Sequence, residues 1–374
     1  MPNLQKDITQ VYWQPLQSLL NPTGPKVQAL EGFDSEFVDL VDYIIRITHR
    51  IWEQKNIGLC YDYYADICPV YMLGGYCESV DDVVANTLKT IAAFPDRSLI
   101  GENVIHKDEG DGVYYSSHLI TSIMTNCGDS EFGPATNKTG RVTTIADCVC
   151  KANRIIEEWL VRDNSFLVKQ LGIDPIDAAR HMAKSDANSV FTSWYTSEYA
   201  RVMAHDHRQQ CELEQWTNID DFDGQAFAQS WLQTLFNRKQ FSQIDKYYKG
   251  NAKLQWPGGR KAVGCAKIAG TLIQWLAQCP DARVSCDHVG VTYFDDNTVD
   301  VAIRWGLAGH FNPQDKRLAH SKGQELFVLG ASHLRISNGK IESEITVFDE
   351  VAMYANLLRD GSQSLAMLGG KIDA

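Results

Sequence analysis

Two aspartates, Asp163 and Asp349, stand at matching places in a chain that repeats itself, each at the end of a run alternating apolar and polar residues. Asp163 shares strand parity with Glu157, Trp159 and Val161, and Asp349 with Ile341, Ile345 and Val347. A carboxylate ending a mostly apolar strand face is partly desolvated, which lifts its pKa toward the range a general acid–base needs. Each aspartate also stands where a strand hands over to a helix, where Asp serves as an N-cap. Both roles stay open. His118 lies on a strand-like run with Ser116 on its face, and an imidazole there could polarise a carbonyl or shuttle a proton. At an offset of 186 residues His118 is matched by Arg304, whose face continues to His310. A guanidinium there could hold a carboxylate or enolate but is a poor base. The same offset matches Asp147 with His333, and a His118–Asp147 pair would join a base to its orienter if the two share a face. Trp159 reads as core or cavity wall, and its counterpart Ile345 would widen the second pocket. Catalytic roles are therefore expected at Asp163, His118 and Asp349. Substrate contacts are expected at Trp159, Asp147, Ser116, Arg304, His310 and His333.

Other chemistries find less support. His205-Asp206-His207 with Cys211 and Glu212 has the composition of a metal cluster. On a helix His207 and Cys211 share a face that His205 does not join, so no metal site is expected. A Gly-rich phosphate loop, a Gly-x-Ser-x-Gly elbow and a His-Glu-x-x-His helix are all absent from the sequence. The ten cysteines are scattered without a Cys-x-x-Cys, the pattern of reduced thiols rather than a disulfide framework. Net charge is -12 with no Lys/Arg run, so a nucleic-acid partner is not expected. The opening residues carry no basic segment leading into an apolar stretch, and no apolar run approaches a membrane span. A cytoplasmic protein without a membrane partner is the expectation.

The repeat supplies the elements that must position these residues. Trp52, Lys55, Tyr63-Tyr64 and Pro95-Asp96 align with Phe236, Lys239, Tyr247-Tyr248 and Pro280-Asp281, and Asn153-Arg154-Ile155 aligns with Gly339-Lys340-Ile341. Such a period is far too long for a solenoid and describes two complete domains. In unit one, Phe37, Leu40, Val41, Ile44, Ile45, Ile51 and Trp52 mark an amphipathic helix. A short helix follows at 57–64, and a third starts at the N-cap Ser79 and stops before Pro95. Then the period becomes strand-like over 97–106, 113–125, 141–151 and 154–162, with a final turn at Ala152-Asn153 and Asn338-Gly339. Three helices followed by an antiparallel meander give an α+β class, with the sheet curling around the helices over a pocket. The expected division is an arm at 1–34, domain one at 35–172, a helical connector at 173–222, domain two at 223–360 and a tail at 361–374.

Tyr-Tyr-Ala-Asp (63–66), Phe-Pro-Asp-Arg (94–97), Gly-Arg-Val (140–142) and Ile-Glu-Glu-Trp-Leu-Val-Arg-Asp (156–163) characterise unit one, with Gln-Leu-Gly (170–172) after them. Ala-Gly-His-Phe (308–311) and His-Leu-Arg-Ile-Ser-Asn-Gly-Lys-Ile (333–341) characterise unit two. Together these resemble the SnoaL-like polyketide cyclases, within the nuclear-transport-factor-2-like superfamily. The resemblance implies two cone-shaped domains with apolar cavities, packed as a pseudo-dimer within one chain, and leaves a further homo-oligomer open. It implies an acid–base ring closure without cofactor or metal, through a last-strand carboxylate matched here by Asp163 and Asp349. Ketosteroid isomerases share the fold but use an aspartate where this chain has Met72 and Trp256, which disfavours isomerisation by that route. The cyclase-like Gly-x-Pro-Pro-Thr-Gly loop is also altered, to Gly-Pro-Ala-Thr-Asn-Lys-Thr-Gly at 133–140 and to Asn-Pro-Gln-Asp-Lys-Arg at 312–317. The functional expectation is a cyclase, isomerase or lyase acting on a small or medium apolar carbonyl compound. The alternative is a non-catalytic carrier of a hydrophobic small molecule.

Overall fold

The computed structural model describes residues 8–185, 188–208 and 219–359. An N-terminal arm with helix α1 (Leu16–Leu20) leads into unit one. That unit comprises α2 (Leu40–Thr48), α3 (Cys60–Tyr63), β1 (Ile67–Met72), β2 (Gly75–Ser79), α4 (Val80–Ala93), β3 (Ser98–Gly110), β4 (Val113–Thr125), β5 (Thr139–Lys151) and β6 (Arg154–Arg162). Helices α5 (Asn164–Gln170), α6 (Pro175–Met182) and α7 (Ser189–Met203) connect the units. Unit two repeats the order with α8 (Gly224–Leu232), α9 (Ile244–Tyr247), β7 (Tyr248–Trp256), β8 (Arg260–Val263), α10 (Cys265–Leu276), β9 (Arg283–Asp295), β10 (Thr298–His310), β11 (Glu325–Ser337), β12 (Lys340–Phe348) and α11 (Glu350–Leu358).

Local sequence explains the boundaries. Asp39 and Asp223 cap α2 and α8 at matching positions, and Ser79 forms a full capping box with Asp82 at the start of α4. Lys55 and Lys239 both take positive φ, at 58° and 54°, after single π-helical turns at His49–Glu53 and Gln233–Asn237. Ala152-Asn153 and Asn338-Gly339 hold positive φ at both turn positions, as a two-residue hairpin requires.

The sheets run β2-β1-β6-β5-β4-β3 and β8-β7-β12-β11-β10-β9, identical in topology. All neighbours are antiparallel except β1 with β6 and β7 with β12. Each unit is thus α+β, with helices laid over a mixed sheet. The β1–β2 hairpin lies outside the sequence expectation. Its strands are short, and Pro69 demotes the segment by ordinary strand criteria.

Register corrects one equivalence. His118 pairs with Ala146, whose counterpart in the second sheet is Ser332, and Ser332 pairs with Ile303. The residue matching His118 is therefore Ile303, and Arg304 projects from the opposite face. A one-residue difference in strand offset is enough, because side chains alternate along a strand.

The sheets pack through their outer faces. Leu119, Ile145 and Val161 of the first join Ala331 and Val347 of the second in one buried cluster, while α2, β1 and β2 belong to a separate core over the first sheet. Polar links cross the seam, including Asn103 Nδ2 to Asp300 at 2.8 Å, the Gly258 N–H to Asp163 at 2.8 Å and Ser165 Oγ to Glu350 at 3.0 Å.

Candidate active site

Between the inner face of the first sheet and its helices lies a cavity of about 410 Å³. Its walls are apolar, with Ile44, Ile47, Trp52, Val70, Met72 and Leu160 among them. Alternation along the strands aims a small polar set at this space: Glu158 on β6, Thr144 on β5 and His118 on β4. Glu158 is 5% exposed and accepts a 3.0 Å hydrogen bond from the Tyr64 hydroxyl, its only hydrogen-bond donor among the described residues. Burial pushes its carboxyl up to about 7, against the pull of Tyr64 and the more distant Arg162. His118 Nε2 is buried without a hydrogen-bond partner, and burial takes the imidazole down to about 3, so it is neutral at physiological pH. Gly101 makes room for that ring, since a Cβ there would stand 2.9 Å from Nε2. Arg97 and Arg162 also line the cavity, as does Asp349 from the start of α11.

The titration of Glu158 links site to stability. Its folded pKa near 7 exceeds the reference value of 4.5, so its contribution is complete below about 4.5 and lost as pH rises through 7. Relative to wild type, Glu158→Gln should gain about 1.4 kcal/mol per pH unit across that window, on the order of 3 kcal/mol in all. Paired urea titrations at pH 4.5 and 7.5 measure the difference, and a constant offset would contradict the assignment.

Unit two keeps the carboxyl but not the space. Glu344 stands where unit one has Glu158, and it is saturated: Tyr248 Oη and Trp256 Nε1 donate at 2.5 Å each and Thr346 Oγ1 at 2.7 Å. Trp231, Phe236, Trp256, Trp275, Trp305 and Phe348 pack into the interior as an aromatic cluster, mostly edge-to-face, with Phe236 stacked on Trp256. Met72 and Trp256, at matching positions of the two units, thus differ in role, one lining the cavity and the other filling the second interior.

The residues singled out from sequence divide into three groups. His118 and Asp349 reach the cavity. Asp349 also caps α11, accepts from Asn164 and is raised to about 7 by burial. Asp163 instead caps α5 and accepts from the Phe166 N–H, Ser165 Oγ and, across the seam, the Gly258 N–H, so all its bonds serve structure. Asp163→Ala should therefore cost roughly 2–3 kcal/mol of stability, from a lost cap and an orphaned, part-buried Gly258 N–H at the seam. A thermal melt tests this, and a variant as stable as wild type would refute the role.

Asp147, His333, Arg304 and Trp159 form the second group, gathered at the seam between the sheets and away from the cavity. Tyr115 Oη and Ser117 Oγ donate to Asp147 at 2.6 and 2.5 Å, and Ser117 lies 2.8 Å from His333 Nε2. The Ser117 proton is committed to Asp147, so His333 must donate and cannot activate the hydroxyl. Serine, histidine and aspartate thus meet in an order unsuited to nucleophilic catalysis. Arg304 stacks over Trp159 at 3.4 Å and lies 3.6 Å from Asp147. His118 and Asp147 sit on opposite faces, which excludes the base-and-orienter pair, and Ile345 at the seam widens no pocket. In the third group, Ser116 is buried beside Cys150 on the inner face, and His310 is exposed and paired with Asp281 at 2.6 Å. His205 and His207 are described, whereas Cys211 and Glu212 lie outside the described residues.

Glu158 itself was missed. The available signal was that both copies keep a glutamate on the inner face of the last strand and a tyrosine at 64 and 248.

The family model of the SnoaL-like polyketide cyclases matches residues 226–357, which lie in unit two. No curated protein matches the chain. Among solved structures, IdmH, a putative polyketide cyclase from Streptomyces antibioticus, is 17% identical, covering 35% of this chain and 97% of its own, with a TM-score of 0.31. A SnoaL-like polyketide cyclase from Agrobacterium tumefaciens is 18% identical over 36% of this chain and 98% of its own, at 0.30. A putative polyketide cyclase from Acidithiobacillus ferrooxidans is 16% identical over 37% and 95%, at 0.31. The SnoaL-like resemblance read from the sequence holds for unit two, and unit one repeats the strand order of that unit. The family model matches the copy whose interior is filled, and the open cavity belongs to the other.

Proposed function

We propose that unit one is an acid–base enzyme of cyclase or isomerase type, acting on a small or medium apolar carbonyl compound, and that unit two is its filled structural partner. The observation carrying this reading is a carboxyl with one hydrogen-bond donor, held near neutrality inside an apolar cavity, beside a neutral imidazole with an unpartnered nitrogen. The cavity volume of about 410 Å³ suits a ligand of drug-like size. Glu158 takes a proton from the carbon next to a carbonyl, and Tyr64 holds the carboxylate in place. His118 faces the enolate oxygen. In a ring closure the enolate carbon attacks a second carbonyl, and the proton held by Glu158 passes to the new alkoxide. By strand spacing, Glu158 and His118 lie on the order of 10 Å apart at their backbones, so they address different atoms of one extended ligand.

Asp349 at the other end of the cavity is a second carboxyl near neutrality and serves as a further acid–base candidate. The nine described cysteines are free thiols, which fits a reducing cytoplasm. Among the described residues no helix is long and apolar enough to cross a membrane.

The test is deuterium exchange next to the carbonyl of 1-tetralone, an apolar ketone, followed by proton NMR in heavy water. Exchange faster than buffer and dependent on Glu158 supports the enzyme. Saturable binding without exchange, in this and a panel of diketones, supports a carrier and ends the catalytic reading.

A further inference from the structure

The cavity holds cations that its proposed chemistry does not use. Lys89, Arg97, Arg162 and Arg359 line it, against Glu131 and the two carboxyls held near neutrality, Glu158 and Asp349. That is a positive interior in a chain whose net charge is -12. Arg97 and Arg162 stand out. Neither makes an ion pair among the described residues, and the only side-chain partner of Arg97 is Ser122 Oγ, at 3.4 Å. Arg162 is on the inner face of β6 opposite Thr144, which pairs with Ile120, and Ser122 is the next inner-face residue along β4. The two guanidiniums are therefore brought to one end of the cavity, close enough that Arg162 adds to burial in disfavouring the charge on Arg97. Glu53 acts on Arg97, and Glu131 and Glu158 on Arg162, only at longer range than an ion pair, so like charges crowded in a partly desolvated space keep their donors open to an anion from outside.

We infer that the ligand is an acid: an apolar carbonyl compound whose remote carboxylate is held between Arg97 and Arg162, with its carbonyl placed toward Glu158 and His118. This deepens the proposed function and rests on it. A planar guanidinium suits a carboxylate because it offers paired donors in matching geometry. Position along β6 sets the length. Glu158 and Arg162 are four residues apart on one face, about 13 Å at strand rise, so carbonyl and carboxylate should lie roughly 10 Å apart. A chain of seven or so methylenes spans that distance.

The probe pair is 9-oxodecanoate and its methyl ester, which share shape and carbonyl but differ in charge. Isothermal titration at pH 7.5 should give the acid roughly tenfold or greater preference over the ester with the full-length protein. In Arg97→Met and Arg162→Met, checked for folding by circular dichroism, that ratio should fall toward one. Equal wild-type affinities, failure of the acid to bind, or a preference that survives both substitutions would overturn the inference. If neither variant folds, added salt replaces them. The acid's preference should shrink between 50 mM and 500 mM sodium chloride, and an unchanged ratio overturns the proposal. Deuterium exchange at the ketone of bound 9-oxodecanoate is read in parallel. Acid preference without exchange leaves the anion site standing and removes the proton-transfer reading. Exchange without acid preference does the reverse.

Discussion

Glu158→Gln is expected to slow deuterium exchange next to the ketone by roughly 10²- to 10⁴-fold, the usual contribution of a positioned general base. The substitution keeps volume and the hydrogen bond from Tyr64, so the cavity should survive it. Because glutamine cannot accept the proton, the loss should fall on kcat more than on KM. In the wild type the rate should rise with pH through about 7 and then level, since the carboxyl must be ionised to act as a base. His118 imposes no second limb there, because it is already neutral far below that range. Glu344→Gln is the control. Its carboxyl is enclosed by three donors inside the filled unit, so losing it should disturb stability and not exchange. A Glu158→Gln protein that exchanges at the wild-type rate would remove Glu158 from the mechanism, as would a rate flat between pH 6 and 8.

Much of the architecture was legible because it depends on local rules that the repeat states twice. Helix caps at Ser79, the turn at Asn338-Gly339 and the alternation along β4 and β6 each follow from short-range chemistry. The site was harder, because it depends on which face of a strand looks inward. Asp163 and Glu158 differ by five residues and a strand end, yet one closes a helix cap and the other faces the cavity. The His118–Arg304 match failed for the same reason: an offset wrong by one residue exchanges cavity for seam. The seam cluster could not be read at all from a single unit. Asp147 and His333 come close through Ser117 only because the two sheets pack outer face to outer face, a relation without local signature. Nor does composition separate a hollow interior from a full one. The difference between the units rests on a few paired exchanges, chiefly Ile120 and Thr144 in one against Trp305 and Gly330 in the other.

That last pair makes the strongest structural prediction. Gly330 lies opposite Trp305 on β10 and Phe348 on β12, and a Cβ at 330 would stand 2.2 Å from two carbons of the indole. No rotamer adjustment of an alanine relieves such a contact, so the indole must move. Trp305 is 2% exposed, donates its N–H to Ser332 Oγ at 3.0 Å, and through Ser332 and Thr346 is tied to Glu344. Displacing it disturbs both the aromatic packing and that chain of hydrogen bonds. Gly330→Ala should cost about 3 kcal/mol or more, at the upper end of overpacking penalties. Trp305→Ala removes the clash along with the ring and should cost about 3–5 kcal/mol by cavity formation. The two costs should not add: in the Trp305→Ala background, Gly330→Ala should be nearly neutral, since the added methyl enters space the indole has vacated. Urea denaturation of the four proteins closes the cycle. Additive penalties would mean that Gly330 serves some purpose other than making room for Trp305, and the account of how the interior of unit two is filled would fall with it.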